Sequence, residues 1–139
     1  MKKVLLLLLA LIPSLALATP MHSVCHNELS SWIKANKKIA IVDIQDAGEF
    51  REHNYEGSLA TGNDPARLKK VARRLASSKG KVVVVSTNGG GDAQKASELL
   101  VLGGVARSRI LVLEGGMEAA AQNAACDCCK PAALQDTTK

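Results

Sequence analysis

The sequence predicts a three-layer α/β domain: a mostly parallel sheet flanked by helices. Three observations lead there. Short runs such as IAIVDI (39–44), KVVVVS (81–86) and RILVLEGG (109–116) are apolar at nearly every position, as expected of strands covered on both faces. Amphipathic segments alternate with these runs, the order that builds parallel sheets with crossover helices. Each run also ends in a polar or glycine-rich turn, and in such sheets ligands bind beyond the carboxyl ends of the strands. Asp43, Ser86 and Glu114 stand at those ends.

The elements follow in chain order. Lys2 and Lys3, the apolar stretch Val4 to Ile12 and the small-x-small triplet Ala16-Leu17-Ala18 have the build of a secretory signal peptide, residues 1–18. The apolar run is too short for a membrane anchor, and Pro13 interrupts it. The mature chain is therefore expected to be exported, periplasmic or secreted, with no membrane association after signal cleavage. A single domain is expected over 19–125 and a cysteine-rich tail over 126–139.

Residues 19–24 read as a flexible leader. A helix is expected from Asn27 to Asn36, with Leu29, Trp32 and Ile33 on one face and His26 or Asn27 as cap. The strand 39–44 follows, then DAGEFREHNYEG (46–57) as a turn and a short helix closing at Gly57. Asp64 and Pro65 open a helix over 65–79: the aspartate caps, proline takes the first helical position, and Leu68, Val71, Ala72 and Leu75 line one face. Its other face, with Arg67, Lys69, Lys70, Arg73 and Arg74, reads as a solvated helix surface rather than a docking site. After the strand 81–86, Asp92 is expected to cap a helix with Ala96, Leu99, Leu100 and Leu102 inward, ended by Gly103-Gly104. An alanine-rich helix is expected over Met117 to Ala125.

Composition narrows the function. The formal charge is +5, and loss of Lys2 and Lys3 with residues 1–18 leaves +3, because that segment holds no acid. This excess is mild and clusters between Arg67 and Lys81. Aromatic residues make up 2% of the chain, which argues against base stacking and hence against a nucleic-acid partner. No cofactor is expected.

At the level of motifs the sequence resembles the rhodanese-like (sulfurtransferase) family. IVDIQDAGEFREHNYEGS (41–58) is similar to a family segment through Asp43, Glu49, Phe50, His53, Gly57 and Ser58. The stretch from VVVVSTNGGGD (82–92) onward is similar to the family's strand, active loop, helix and Leu-x-Gly-Gly ending. It matches at Ala96, Leu99, Leu100, Gly103, Gly104, Leu113, Gly115 and Gly116. The resemblance implies a loop that begins with a cysteine able to hold sulfane sulfur. Here that position falls on Ser86, the family's frequent Arg-Ser near the loop's end is Gly91-Asp92, and Gln45 stands where an arginine usually follows the strand aspartate.

The substitution changes the chemistry. A thiol is lowered toward neutrality by a helix N-terminus and backbone donors. A serine hydroxyl needs an adjacent base, and no histidine neighbours Ser86 in sequence. The loop Ser86, Thr87, Asn88, Gly89, Gly90, Gly91 and Asp92 retains the form of an anion or ligand cradle, although it contains no Lys or Arg and reads first as structural. Asp43 reads as an organiser of the loop that follows it, and His53 as a turn histidine.

All four cysteines lie beyond the signal segment: Cys25, then Cys126, Cys128 and Cys129. Three readings are open. Cys25 pairs with one of the others, closing a loop of roughly 100 residues for about 4–5 kcal/mol on chain-entropy reasoning. Cys126, Cys128 and Cys129 form a catalytic group that takes up sulfur or exchanges disulfides with a small sulfur compound, a thiol or a protein partner. Cys126 and Cys128, with Cys25 and His26, chelate a soft metal. The order given is our ranking. Whether the chain is an enzyme turns on the second reading; the alternative is a catalytically inactive rhodanese-fold binding module stapled by disulfides.

Overall fold

The computed structural model describes residues 21–122. Residues 1–20 and 123–139 fall outside the described residues, so the signal-peptide reading and the readings of Cys126, Cys128 and Cys129 do too. Five strands form one sheet: β1 (His22–Val24), β2 (Ile39–Asp43), β3 (Leu59–Ala60), β4 (Lys81–Val85) and β5 (Ile110–Leu113). Their order across the sheet is β1-β5-β4-β2-β3, and every neighbouring pair is parallel. The helices are α1 (His26–Lys34), α2 (Ala47–Glu52), α3 (Pro65–Ala76), α4 (Gly91–Leu102) and α5 (Gly116–Ala121).

The unbroken apolar runs are explained by their alternation. Val82 and Val84 point to one face, with Val42, Ile110 and Val112, and pack under α3 and α4 through Leu68, Ala72, Ala96 and Leu100. Val83 and Val85 point to the other, with Ile41, Leu111 and Leu113, and meet Leu29 of α1 and Met117 and Ala120 of α5. The inner strands β2, β4 and β5 therefore need β-branched or aliphatic side chains at both parities.

The start of α3 is as the sequence predicts. The Asp64 carboxylate accepts from the N–H groups of Ala66 and Arg67, and Pro65 occupies the first turn. Four expectations need correction. Residues 22–24 are not leader but an edge strand on β5, with Val24 opposite Leu113 and buried. The helix α1 is capped neither by His26 nor by Asn27; Cys25 holds the cap position, and its side chain makes no capping hydrogen bond to the helix. Asp92 does not cap α4: Gly90 is the cap residue and Asp92 lies inside the first turn, 3.8 Å from Lys95. The cause is local. Asn88 Oδ1 takes the Gly90 N–H at 2.9 Å, so the loop closes early and the helix starts before Asp92. Finally, Leu102 is 82% exposed, because it lies two residues past Leu100, about 200° round the helix.

Candidate functional site

The parallel strands deliver three turns to one end of the sheet. At the first, Asp43 closes β2 and is fully buried. Its Oδ1 accepts from the Gln45 N–H at 2.9 Å and its Oδ2 from Gln45 Nε2 at 3.1 Å. Gln45 Nε2 also donates to the His53 carbonyl at 3.0 Å, so this one amide joins the strand end to the end of α2. No ion pair among the described residues involves Asp43. Burial pushes its carboxyl above the usual aspartate value; the two Gln45 bonds oppose that rise and the nearby Glu49 charge adds to it.

The second turn carries Ser86, buried after β4. Its Oγ accepts the Gly89 N–H at 2.8 Å. Its carbonyl accepts from Met117 N at 2.9 Å, and the Thr87 carbonyl from Glu118 N at 2.9 Å. The loop is thereby joined to the third turn, Gly115-Gly116. Gly116 has φ +62°, and a Cβ there would lie 2.4 Å from the Ser86 carbonyl oxygen and 2.5 Å from that of Thr87. Only glycine permits this contact. Thr87 Oγ1 donates to Glu49 Oε2 at 2.7 Å, fixing α2 against the loop.

Between these turns lies a cleft of about 270 Å³ whose wall includes Gln45, Glu49, Glu52, His53, Thr87 and Glu118. It holds three carboxylates and no Lys or Arg. The last described residues, Ala121 and Gln122, line it too. A wider groove adjoins it through Glu52, His53, Met117 and Ala121, and extends to His26 and Tyr55. There Tyr55 Oη and His26 Nδ1 are 2.6 Å apart. Burial, helped by the Asp43 charge, pushes the Tyr55 phenol up to about 12, so the hydroxyl keeps its proton at neutral pH.

Of the expected site residues, Thr87 lines the cleft and Ser86, next to it in the chain, is buried, whereas Gly91 and Asp92 belong to α4. His53 stands on the cleft wall, and no hydrogen bond joins its ring to Ser86. Cys25 is buried at the head of α1, next to His26. No group of three potential metal ligands occurs among the described residues. Of the carboxylates that set the cleft's charge, the sequence singles out Glu49 as a motif position, but not Glu52 or Glu118. Glu49 and Glu52 share a helix face by their spacing, but Glu118 joins them only through the fold.

The profile of the rhodanese-like domain matches residues 26–123. The chain belongs to the rhodanese-like domain family. Among solved structures, a rhodanese-related protein of Thermoplasma volcanium is similar with a TM-score of 0.58 and 21% identity, covering 74% of this chain and 93% of that one. An As-Sb reductase of Leishmania major is similar with a TM-score of 0.64 and 19% identity, covering 76% and 79%. A yeast protein tyrosine phosphatase of the rhodanese family is similar with a TM-score of 0.54 and 18% identity, covering 71% and 83%. At these identities the likeness is one of fold. No curated protein matches the chain.

Proposed function

We propose that this rhodanese-like protein is exported and exchanges sulfur or disulfides through Cys126, Cys128 and Cys129, while its loop serves as scaffold. The observation that carries the reading is the position of Ala121 and Gln122 on the wall of the loop cleft. Cys126 follows Gln122 by four residues, a chain reach of at most about 14 Å. A tail thiol thus falls within range of the cleft.

Two features of the loop support the same reading. Ser86 stands, by the motif match, at the family's sulfur-accepting position, yet its Oγ is buried and engaged by the Gly89 N–H. Among the described residues no side-chain base bonds to it, so nothing activates it as a nucleophile. The cleft's carboxylates also repel anionic sulfur donors such as thiosulfate. An uncharged persulfide or disulfide, or a protein cysteine carrying one, suits it better.

The proposed step is a thiolate displacement. A tail thiolate attacks the outer sulfur of R–S–SH, an S–S bond breaks, RS⁻ leaves with the electron pair, and the tail cysteine becomes a persulfide. In disulfide exchange the same thiolate attacks R–S–S–R and a neighbouring cysteine resolves the mixed disulfide. Lys130, next in sequence to Cys129, favours the thiolate form.

One tail cysteine is assigned to Cys25. Its burial and the shared groove of His26, Ala120 and Ala121 support a staple between the head of α1 and the chain beyond α5. Two cysteines then remain for exchange.

The test is intact mass after incubation with a glutathione persulfide donor. The protein should gain sulfur, and replacing Cys126, Cys128 and Cys129 together with serine should abolish the gain. The second reading, a binding module stapled by disulfides, is favoured by the engaged Ser86 hydroxyl. It predicts four paired cysteines on thiol counting, no sulfur uptake, and only a lower melting temperature for the triple variant.

A further inference from the structure

The opposite end of the sheet has the reverse charge. There the loop after α1, the start of β2, the turn before β4 and the turn before β5 enclose a pocket of about 490 Å³. Its floor is apolar, made by Trp32 and Ile39, and its rim carries Lys37, Lys38, Lys81 and Arg109 with no carboxylate. Lys37 Nζ lies 5.7 Å and Lys81 Nζ 5.9 Å from the centre of the Trp32 ring. Both ammoniums are held over the indole by its negative face. Neither these lysines nor Lys38 enters an ion pair among the described residues.

Arg109 has a different role. Its Nε donates to the Gly80 carbonyl at 2.7 Å, Nη1 to the Leu75 carbonyl at 2.9 Å and Nη2 to Ser78 Oγ at 3.2 Å. The guanidinium is therefore fixed by the end of α3 and contributes positive potential, while the lysines keep free donors. The wall is rigid as well. Gly80 has φ +106°, and a Cβ there would lie 2.3 Å from the Lys38 carbonyl oxygen.

We propose that this pocket binds a small organic anion: a carboxylate or sulfonate head among Lys37, Lys38 and Lys81, with an apolar body on Trp32 and Ile39. The volume falls in the range of about 300–1,000 Å³ found for small-molecule sites, which share this design of apolar lining with a few placed polar groups. Charge complementarity selects the head group and the indole floor selects the body. The site is separate from the loop cleft and does not rest on the tail chemistry.

Trp32 is the chain's single tryptophan, so its emission reports directly on occupancy. The mature protein is titrated with octanoate, and with octan-1-ol and octylamine as neutral and cationic probes of the same length. Octanoate should change Trp32 emission saturably, with affinity falling as salt is raised. The double variant Lys37→Gln, Lys81→Gln keeps the tryptophan and alters only exposed side chains. It should bind octanoate roughly tenfold more weakly. The proposal is overturned if octanoate gives no saturable response, if octanol or octylamine binds as tightly, or if the double variant binds like the parent.

Discussion

Ser86 and Asp43 show how single side chains set the character of the site. The Ser86 hydroxyl is a hydrogen-bond acceptor that closes its own loop. Ser86→Ala should leave sulfur uptake by the full chain unchanged and destabilise the fold by about 1 kcal/mol, through the orphaned Gly89 N–H. Uptake and thermal melting of the variant check both halves. Asp43 makes a pH prediction. Its carboxyl is raised in the folded state, so its contribution to stability is complete below the ordinary value of 3.8 and is lost as pH rises through the raised one. Asp43→Asn removes that component. The difference in melting temperature between variant and parent should therefore move in the variant's favour as pH rises from the acid range to 7. A difference independent of pH contradicts it. Tyr55 acts likewise at the alkaline end: its contribution is complete below the ordinary value of 10.0 and fades as pH rises toward about 12.

Among the elements, the tightest junction is that between the β4–α4 loop and the turn that opens α5. Gly116→Ala places a methyl against two carbonyl oxygens in a left-handed backbone, and a cost of about 3 kcal/mol follows from strain and overlap together. Chemical denaturation should register that loss, whereas Gly91→Ala, where a Cβ meets nothing within 4 Å, should be tolerated. Elements were legible in the sequence where a local rule decides them. The Asp64-Pro65 start of α3 is one such case, and the valine run of β4 is another. β1 and β3 were not legible, because strands of three and two residues carry no periodicity and exist only through pairing with β5 and β2. The α4 cap escaped because Asn88, not the helix's own aspartate, settles where the loop ends.

Across the whole molecule, charge divides along the strands. The carboxyl end gathers Glu49, Glu52 and Glu118 round the loop cleft, and the amino end gathers Lys37, Lys38, Lys81 and Arg109 round Trp32. A formal charge of +5 for the chain conceals this division, since these groups come from separate segments and meet only on folding. The family fold was legible from two motifs in order; the sign of the cleft was not. From that sign it follows that Glu49→Gln together with Glu118→Gln should speed sulfur uptake from an anionic donor more than exchange with a neutral disulfide, which initial rates at low salt will measure. The most direct measurement compares sulfur uptake by the full chain with uptake by a chain ending at residue 125. Persulfide mass on the full chain and none on the shortened, folded one is the predicted result. Equal uptake by both would contradict the assignment of reactivity to the tail cysteines.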